Sequence, residues 1–202
     1  LQTITIIDNE DPMLPVINDI NVECSASIPI PAAVDNCAGI VLGNTTDPLI
    51  YNTLGSFIIN WTFDDGNGNV IQYAQNITVD DSSAPLVEVP LPDVFDQCSV
   101  TLTSPIANDE CIGPVIGTTS TIFPITSQGT TVVTWIYTDN VGNTSSQTQN
   151  VIINDTTLPI VDSITLPDII SECEVNTLTP PTATDNCEIT SFTSSHTSGD
   201  YF

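Results

Sequence analysis

Phe57, Ile59, Trp61 and Phe63 alternate with Ile58, Asn60, Thr62 and Asp64, and this two-residue period predicts a strand with one buried face. Val133, Trp135 and Tyr137 repeat the pattern further along. Each run leads into a turn rich in Asp, Asn and Gly, Asp64-Asp65-Gly66-Asn67-Gly68-Asn69 in one case and Asp139-Asn140-Val141-Gly142-Asn143 in the other, and then into a second Thr/Ile/Val strand. Residues 57–63 and 70–79 are therefore expected to form a hairpin whose tryptophan anchors a core. Shorter strands are expected near 20–23, 28–34, 40–42 and 49–52, bounded by Pro, Asn, Asp and Gly. Helical periodicity is absent. About seven short strands per unit predict an all-β chain of tandem immunoglobulin-like or fibronectin-III-like β-sandwich repeats.

The repeat is explicit in the landmarks. Cys24/Cys37 recurs as Cys98/Cys111 and Cys173/Cys187, and Pro12, Pro85 and Pro159 keep the same step of about 74 residues. The segment Gln2-Thr3-Ile4-Thr5-Ile6-Ile7-Asp8 matches Gln75-Asn76-Ile77-Thr78-Val79-Asp80-Asp81. The expected organisation is thus a last strand of a preceding repeat over 1–8, repeats over 9–81 and 82–155, and a partial repeat over 156–202.

Charge changes the picture more than any motif. There is no Lys or Arg against 25 Asp plus Glu and one His, a net charge of −25. Such a surface repels phosphate backbones and anionic headgroups, which excludes nucleic acid and direct electrostatic membrane binding. It also leaves the carboxylates without internal ion partners, so the natural neutralisers are cations from the medium. Apolar residues make up 40% and charged residues only 12%, a folded rather than a disordered composition.

One close cysteine pair per unit predicts a disulfide within each repeat, Cys24 to Cys37, Cys98 to Cys111 and Cys173 to Cys187, and an oxidising, extracellular setting. A loop that short adds about 3 kcal/mol by chain entropy. Structural zinc is disfavoured because C-x2-C spacing and His partners are missing. Catalysis lacks its parts as well: the single His, His196, has no counterpart in the other repeats, and no enzymatic activity is expected.

In such a sandwich three acidic segments converge where the chain enters each domain. For the first repeat they are Asp8, Glu10 and Asp11, then Asp35 and Asn36, then Asp64, Asp65, Asn67 and Asn69. The second offers Asp80 and Asp81, Asp109 and Glu110, and Asp139, Asn140 and Asn143; the third offers Asn154, Asp155, Asp185 and Asn186. Oxygen ligands gathered without a base suit Ca²⁺, which takes six to eight of them. Turn chemistry alone accounts equally for Asp and Asn at these positions, and both readings stand at this point. The leading sets are Asp8, Asp35 and Asp65, and Asp81, Asp109 and Asp139.

The order of linker Asp and Pro, Asp-Asn-Cys, Gly-x-x-x-x-x-Trp, then Asp-x-x-Gly-Asn and a Thr/Val strand resembles the hyalin-repeat family over essentially the whole chain. Asp109-Glu110-Cys111 departs from its Asp-Asn-Cys. The paired cysteines and missing bases resemble in particular the versions strung in very long surface adhesins of Bacteroidota that serve gliding motility. The resemblance implies an immunoglobulin-like sandwich, extracellular adhesion and no enzymatic role. Thr156 and Ser163, in Asp155-Thr156-Thr157 and Asp162-Ser163-Ile164, match the short O-glycosylation motif of that phylum.

The function expected from all this is a structural spacer at the cell surface, a filament of beads whose partners are neighbouring repeats of the same chain. The alternative is a repeat-borne module that binds glycans or proteins, and a third reading is self-association into a lattice or bundle through divalent bridges.

Overall fold

The computed structural model describes residues 2–165, 168–170, 172 and 181–187, and every regular element among them is a strand. The first repeat carries β1 (Ile20–Glu23), β2 (Ala26–Ser27), β3 (Ala32–Asp35), β4 (Gly39–Leu42), β5 (Ile50–Tyr51), β6 (Gly55–Asp64) and β7 (Val70–Asp80). The second carries β8 (Val94–Asp96), β9 (Ile106–Asp109), β10 (Gly113–Ile116), β11 (Gly129–Thr138) and β12 (Thr144–Ile153), followed by β13 (Ile160–Val161) and β14 (Ala183–Thr184). The sheets are small and mixed: β6 pairs antiparallel with β7, and β1 runs parallel to β7 on its other side. The second repeat repeats this as β11-β12-β8, with β8 parallel to β12. The all-β, sandwich-type repeat read from the alternation is the observed class.

One expected strand is shortened. The stretch read as 28–34 contains Pro29 and Pro31, which cannot donate to a ladder, so only its end, from Ala32, belongs to a strand, β3, while β2 has already ended at Ser27.

The buried phase of each hairpin builds the core. Ile59, Trp61 and Phe63 cluster with Ile77 and Val79 in the first repeat, and their counterparts Val133, Trp135, Tyr137, Val151 and Ile153 are buried in the second. Each tryptophan has a polar companion in the same phase of the next strand. Trp61 Nε1 donates to Gln75 Oε1 at 3.0 Å, and Gln75 Nε2 donates to the Asn18 carbonyl at 2.7 Å. Trp135, Gln149 and the Pro92 carbonyl repeat the relay at 3.2 and 3.1 Å. Buried donors and acceptors are thereby matched, as a dry core demands.

Gly43 and Gly117 hold equivalent positions against these aromatics. A Cβ at Gly117 would lie 2.9 Å from Tyr137 Cε1 and 3.3 Å from the Pro105 carbonyl; at Gly43 it would lie 3.0 Å from Trp61 Cε3. Gly117→Ala is expected to cost about 1–3 kcal/mol through overpacking, read as a lower urea midpoint at unchanged m-value.

By contacts the chain forms two compact units. One comprises 1–86, 108–115 and 138–144; the other comprises 87–107, 116–137 and 145–202. The first unit thus includes the two loop tips of the second repeat that carry Asp109, Cys111 and Asp139.

Candidate metal centre

Strand alternation delivers the first carboxylates. In β3, Ala33 and Asp35 share the buried face, and in β9 Ala107 and Asp109 do the same, so each strand ends with an aspartate turned inward. The hairpin turn after β6 contributes Asp65, the turn after β11 contributes Asp139, and the residue following β7 is Asp81. The outcome is two clusters whose carboxylate oxygens lie within 4.8 Å of one another: Asp8, Asp35 and Asp65, and Asp81, Asp109 and Asp139. These are the two leading sets expected from the sequence. Asp155 and Asp185 approach Cys187 in the same way.

The two oxygens of the strand-end aspartate have different tasks. Asp35 Oδ1 accepts from the amides of Cys37 and Ala38 at 2.8 and 2.7 Å, and Asp109 Oδ1 accepts from those of Cys111 and Ile112 at 2.9 and 3.1 Å. Asp185 Oδ1 accepts from Cys187 at 2.9 Å. In all three the Oδ2 is buried and lacks a hydrogen-bond partner. Turn chemistry therefore consumes one oxygen and leaves the other facing its neighbours' negative charge.

Asp139 and Asp65 are tied more fully. Asp139 Oδ1 accepts from the amides of Val141, Gly142 and Asn143, and Oδ2 accepts from Asn143 Nδ2 at 2.8 Å. Burial pushes the Asp139 carboxyl up, but these hydrogen bonds outweigh it and hold it below the ordinary carboxylate range. Asp65 behaves likewise, with Asn69 and the Asn67 amide outweighing burial. Asp81 is the opposite case. Neither of its oxygens has a hydrogen-bond partner of ordinary geometry; burial raises it first, Asp109 and Asp139 add to the rise, and the Ser83 amide offsets only part.

The remaining candidates lie around these clusters rather than in them. Asn67 Nδ2 donates to Asp8 Oδ2 at 3.1 Å, and Asn36 Nδ2 donates to Glu10 Oε2 at 2.8 Å. Asp64 caps its own turn at Gly66 and Asp80 accepts from the Asp81 amide. Asp11, Glu110, Asn140 and Asn154 are exposed, and Asn186 Nδ2 bonds Gln97 Oε1. Glu23, which sequence reasoning did not single out, joins Asp81 and Cys111 within 4.8 Å and binds Ser82 through both the amide and the hydroxyl.

The cysteine pairing differs from the expectation. Cys24 is bonded to Cys111 and Cys98 to Cys187, with sequence separations of 87 and 89. Cys37 is a free thiol, and Cys173 lies outside the described residues. The reason is directional. The Cys24 amide donates to the Asp80 carbonyl where the chain leaves the first repeat, whereas Cys37 follows Asp35, which clusters with Asp8 where the chain enters it. Thirteen residues of mostly extended chain separate opposite ends of a domain, so Cys24 and Cys98 each reach the second cysteine of the following repeat.

No family model matches the chain. Two curated proteins do: hyalin of Strongylocentrotus purpuratus, 34% identical over 195 residues covering 85% of this chain and 16% of that protein, and hyalin of Lytechinus variegatus, 31% identical over 193 residues covering 85% and 36%. The chain spans well under half the length of either. Together with the fold and the bridges, these matches define a disulfide-stabilised extracellular repeat module. Its units are hyalin repeats, homologous to those of echinoderm hyalin.

Proposed function

We propose that the chain is a tension-carrying spacer of a long extracellular filament or adhesin, with Ca²⁺ held at the repeat ends. The observation that supports it most is the stagger of the bridges. The span from Cys24 to Cys111 overlaps the span from Cys98 to Cys187, so a pull along the chain passes from sulfur to sulfur and bypasses most of the backbone. Stretching the oxidised and reduced chain between its ends tests the reading. The base-free composition and paired cysteines extend the proposal to surface adhesins of the gliding-motility type, with O-glycans on Thr156 and Ser163, both exposed.

Calcium fits the donor set. Asp81, Asp109 and Asp139 are 5%, 2% and 7% exposed, and no Lys or Arg exists anywhere in the chain to neutralise them. A hard divalent ion bound by several oxygens would complete the partnerless ones. Protons compete for the same oxygens, first at Asp81, whose carboxyl is raised. In chelator, Asp81 contributes stability below its unfolded pKa that is lost as pH rises through its raised folded value; Asp65 and Asp139, lowered, contribute stability above theirs that is lost as pH falls. Calcium affinity is therefore expected to weaken as the pH falls from neutrality toward the carboxylate range, and calorimetric titration along that series checks it.

A repeat-borne adhesive module is the second reading, favoured by Leu42 and Ile116, which occupy equivalent positions and are 63% and 64% exposed. Retention of surface glycans or proteins that disappears on joint Leu42→Ser and Ile116→Ser substitution would support it over the spacer.

A further inference from the structure

We infer that Cys37 forms a disulfide with a cysteine of a repeat lying N-terminal to the first one, so that each repeat gives one bridge forward and receives one from behind. Cys37, Cys111 and Cys187 are the same residue in three successive repeats. Each follows an aspartate whose Oδ1 accepts its amide at 2.8, 2.9 and 2.9 Å. Each stands by corresponding carboxylates: Asp35 accepts the Cys37 amide and clusters with Asp8, Asp81 lies with Cys111, and Asp155 and Asp185 lie with Cys187. Two of these three thiols are bonded to a cysteine 87 or 89 residues upstream. The third is held in the same turn without a disulfide partner.

A second observation points to the same occupant. Gln2–Asp8 aligns with Gln75–Asp81 without a gap, yet Ile4 and Ile6 are 79% and 88% exposed while their counterparts Ile77 and Val79 are 0% and 2% exposed. In the first repeat that strand is covered by β6 on one side and β1 on the other, and β1 is the strand that leads directly to Cys24. The strands that would bury Ile4 and Ile6 are thus the ones that would carry a thiol to Cys37. A domain of the same kind satisfies both the apolar face and the sulfur.

Formation of the bond takes one proton and one electron from each thiol. A protein or small-molecule disulfide accepts both by exchange through a mixed disulfide and leaves as two thiols.

The test is non-reducing peptide mapping of the native full-length protein, digested with pepsin because the repeats offer no Lys or Arg to trypsin and acid suppresses exchange. The peptide holding Cys37 is expected to be linked to a peptide from an N-terminal repeat. In the Cys37→Ser protein one upstream cysteine should become alkylatable without loss of the link between Cys24 and Cys111. A Cys37 recovered as a free thiol, linked to Cys24, or linked to Cys37 of a second copy overturns the inference.

Discussion

Replacing Cys24 and Cys111 together by Ser in this 202-residue chain is expected to lower the melting midpoint by roughly 10 °C, whereas Cys37→Ser should leave it nearly unchanged. The asymmetry follows from connectivity. A bridge closing 87 residues stabilises by about 4.6 kcal/mol on the chain-entropy relation, against about 3 kcal/mol for a loop of 14; for a chain of this length about 1 kcal/mol moves the midpoint by 2–4 °C. Pairing within a repeat would instead make Cys37→Ser lose one short bridge, about 3 kcal/mol, and the double replacement lose two. Scanning calorimetry of the three proteins distinguishes the cases, and a clear loss in Cys37→Ser, about half that of the double replacement, would return the cysteines to the arrangement that their spacing first implied.

Asp109→Asn is expected to change sign with the medium. In millimolar Ca²⁺ the substitution should lower the midpoint, because an ion at about 100 times its dissociation constant stabilises by about 2.7 kcal/mol and Asn supplies a poorer ligand. In chelator the same substitution should raise it. Its Oδ1 can still accept from Cys111 and Ile112, while an amide NH₂ takes the place of the partnerless Oδ2 and donates toward Asp81 instead of repelling it. Turn chemistry alone predicts the same sign in both media. Thermal melts of wild type and variant, each with Ca²⁺ and with chelator, provide the comparison.

What could be read from the sequence, and what could not, has physical causes. The hairpin was legible because Phe57, Ile59, Trp61 and Phe63 keep one phase of a strand long enough for the period to show. The carboxylate clusters were legible because Asp8, Asp35 and Asp65 recur as Asp81, Asp109 and Asp139, and sandwich topology gathers those loops at one end. The bridges were not. Proximity of Cys24 and Cys37 along the chain implied proximity in space, but the intervening β2 and β3 carry the chain from one end of the repeat to the other. Gln75 and Gln149 were missed because Gln normally marks a solvent face, although their position in the buried phase 14 residues after each Trp was a usable signal. Gly43 and Gly117 recur at the same step without any turn motif to draw attention to them.

The most direct measurement holds the chain by its two ends and records its extension under force, oxidised and then reduced. With the observed bridges, the path from Cys24 to Cys187 runs through two disulfides, spanning 4.8 and 5.2 Å between Cα atoms, and the roughly 13 residues from Cys98 to Cys111, which reach ~45 Å when extended. Reduction frees about 163 residues over the same interval, or ~550 Å. The oxidised chain is therefore predicted to gain only a few tens of ångströms between these points and the reduced chain about ten times more. An oxidised chain that lengthens there by several hundred ångströms would contradict a sulfur-to-sulfur path, and with it the tension-carrying spacer.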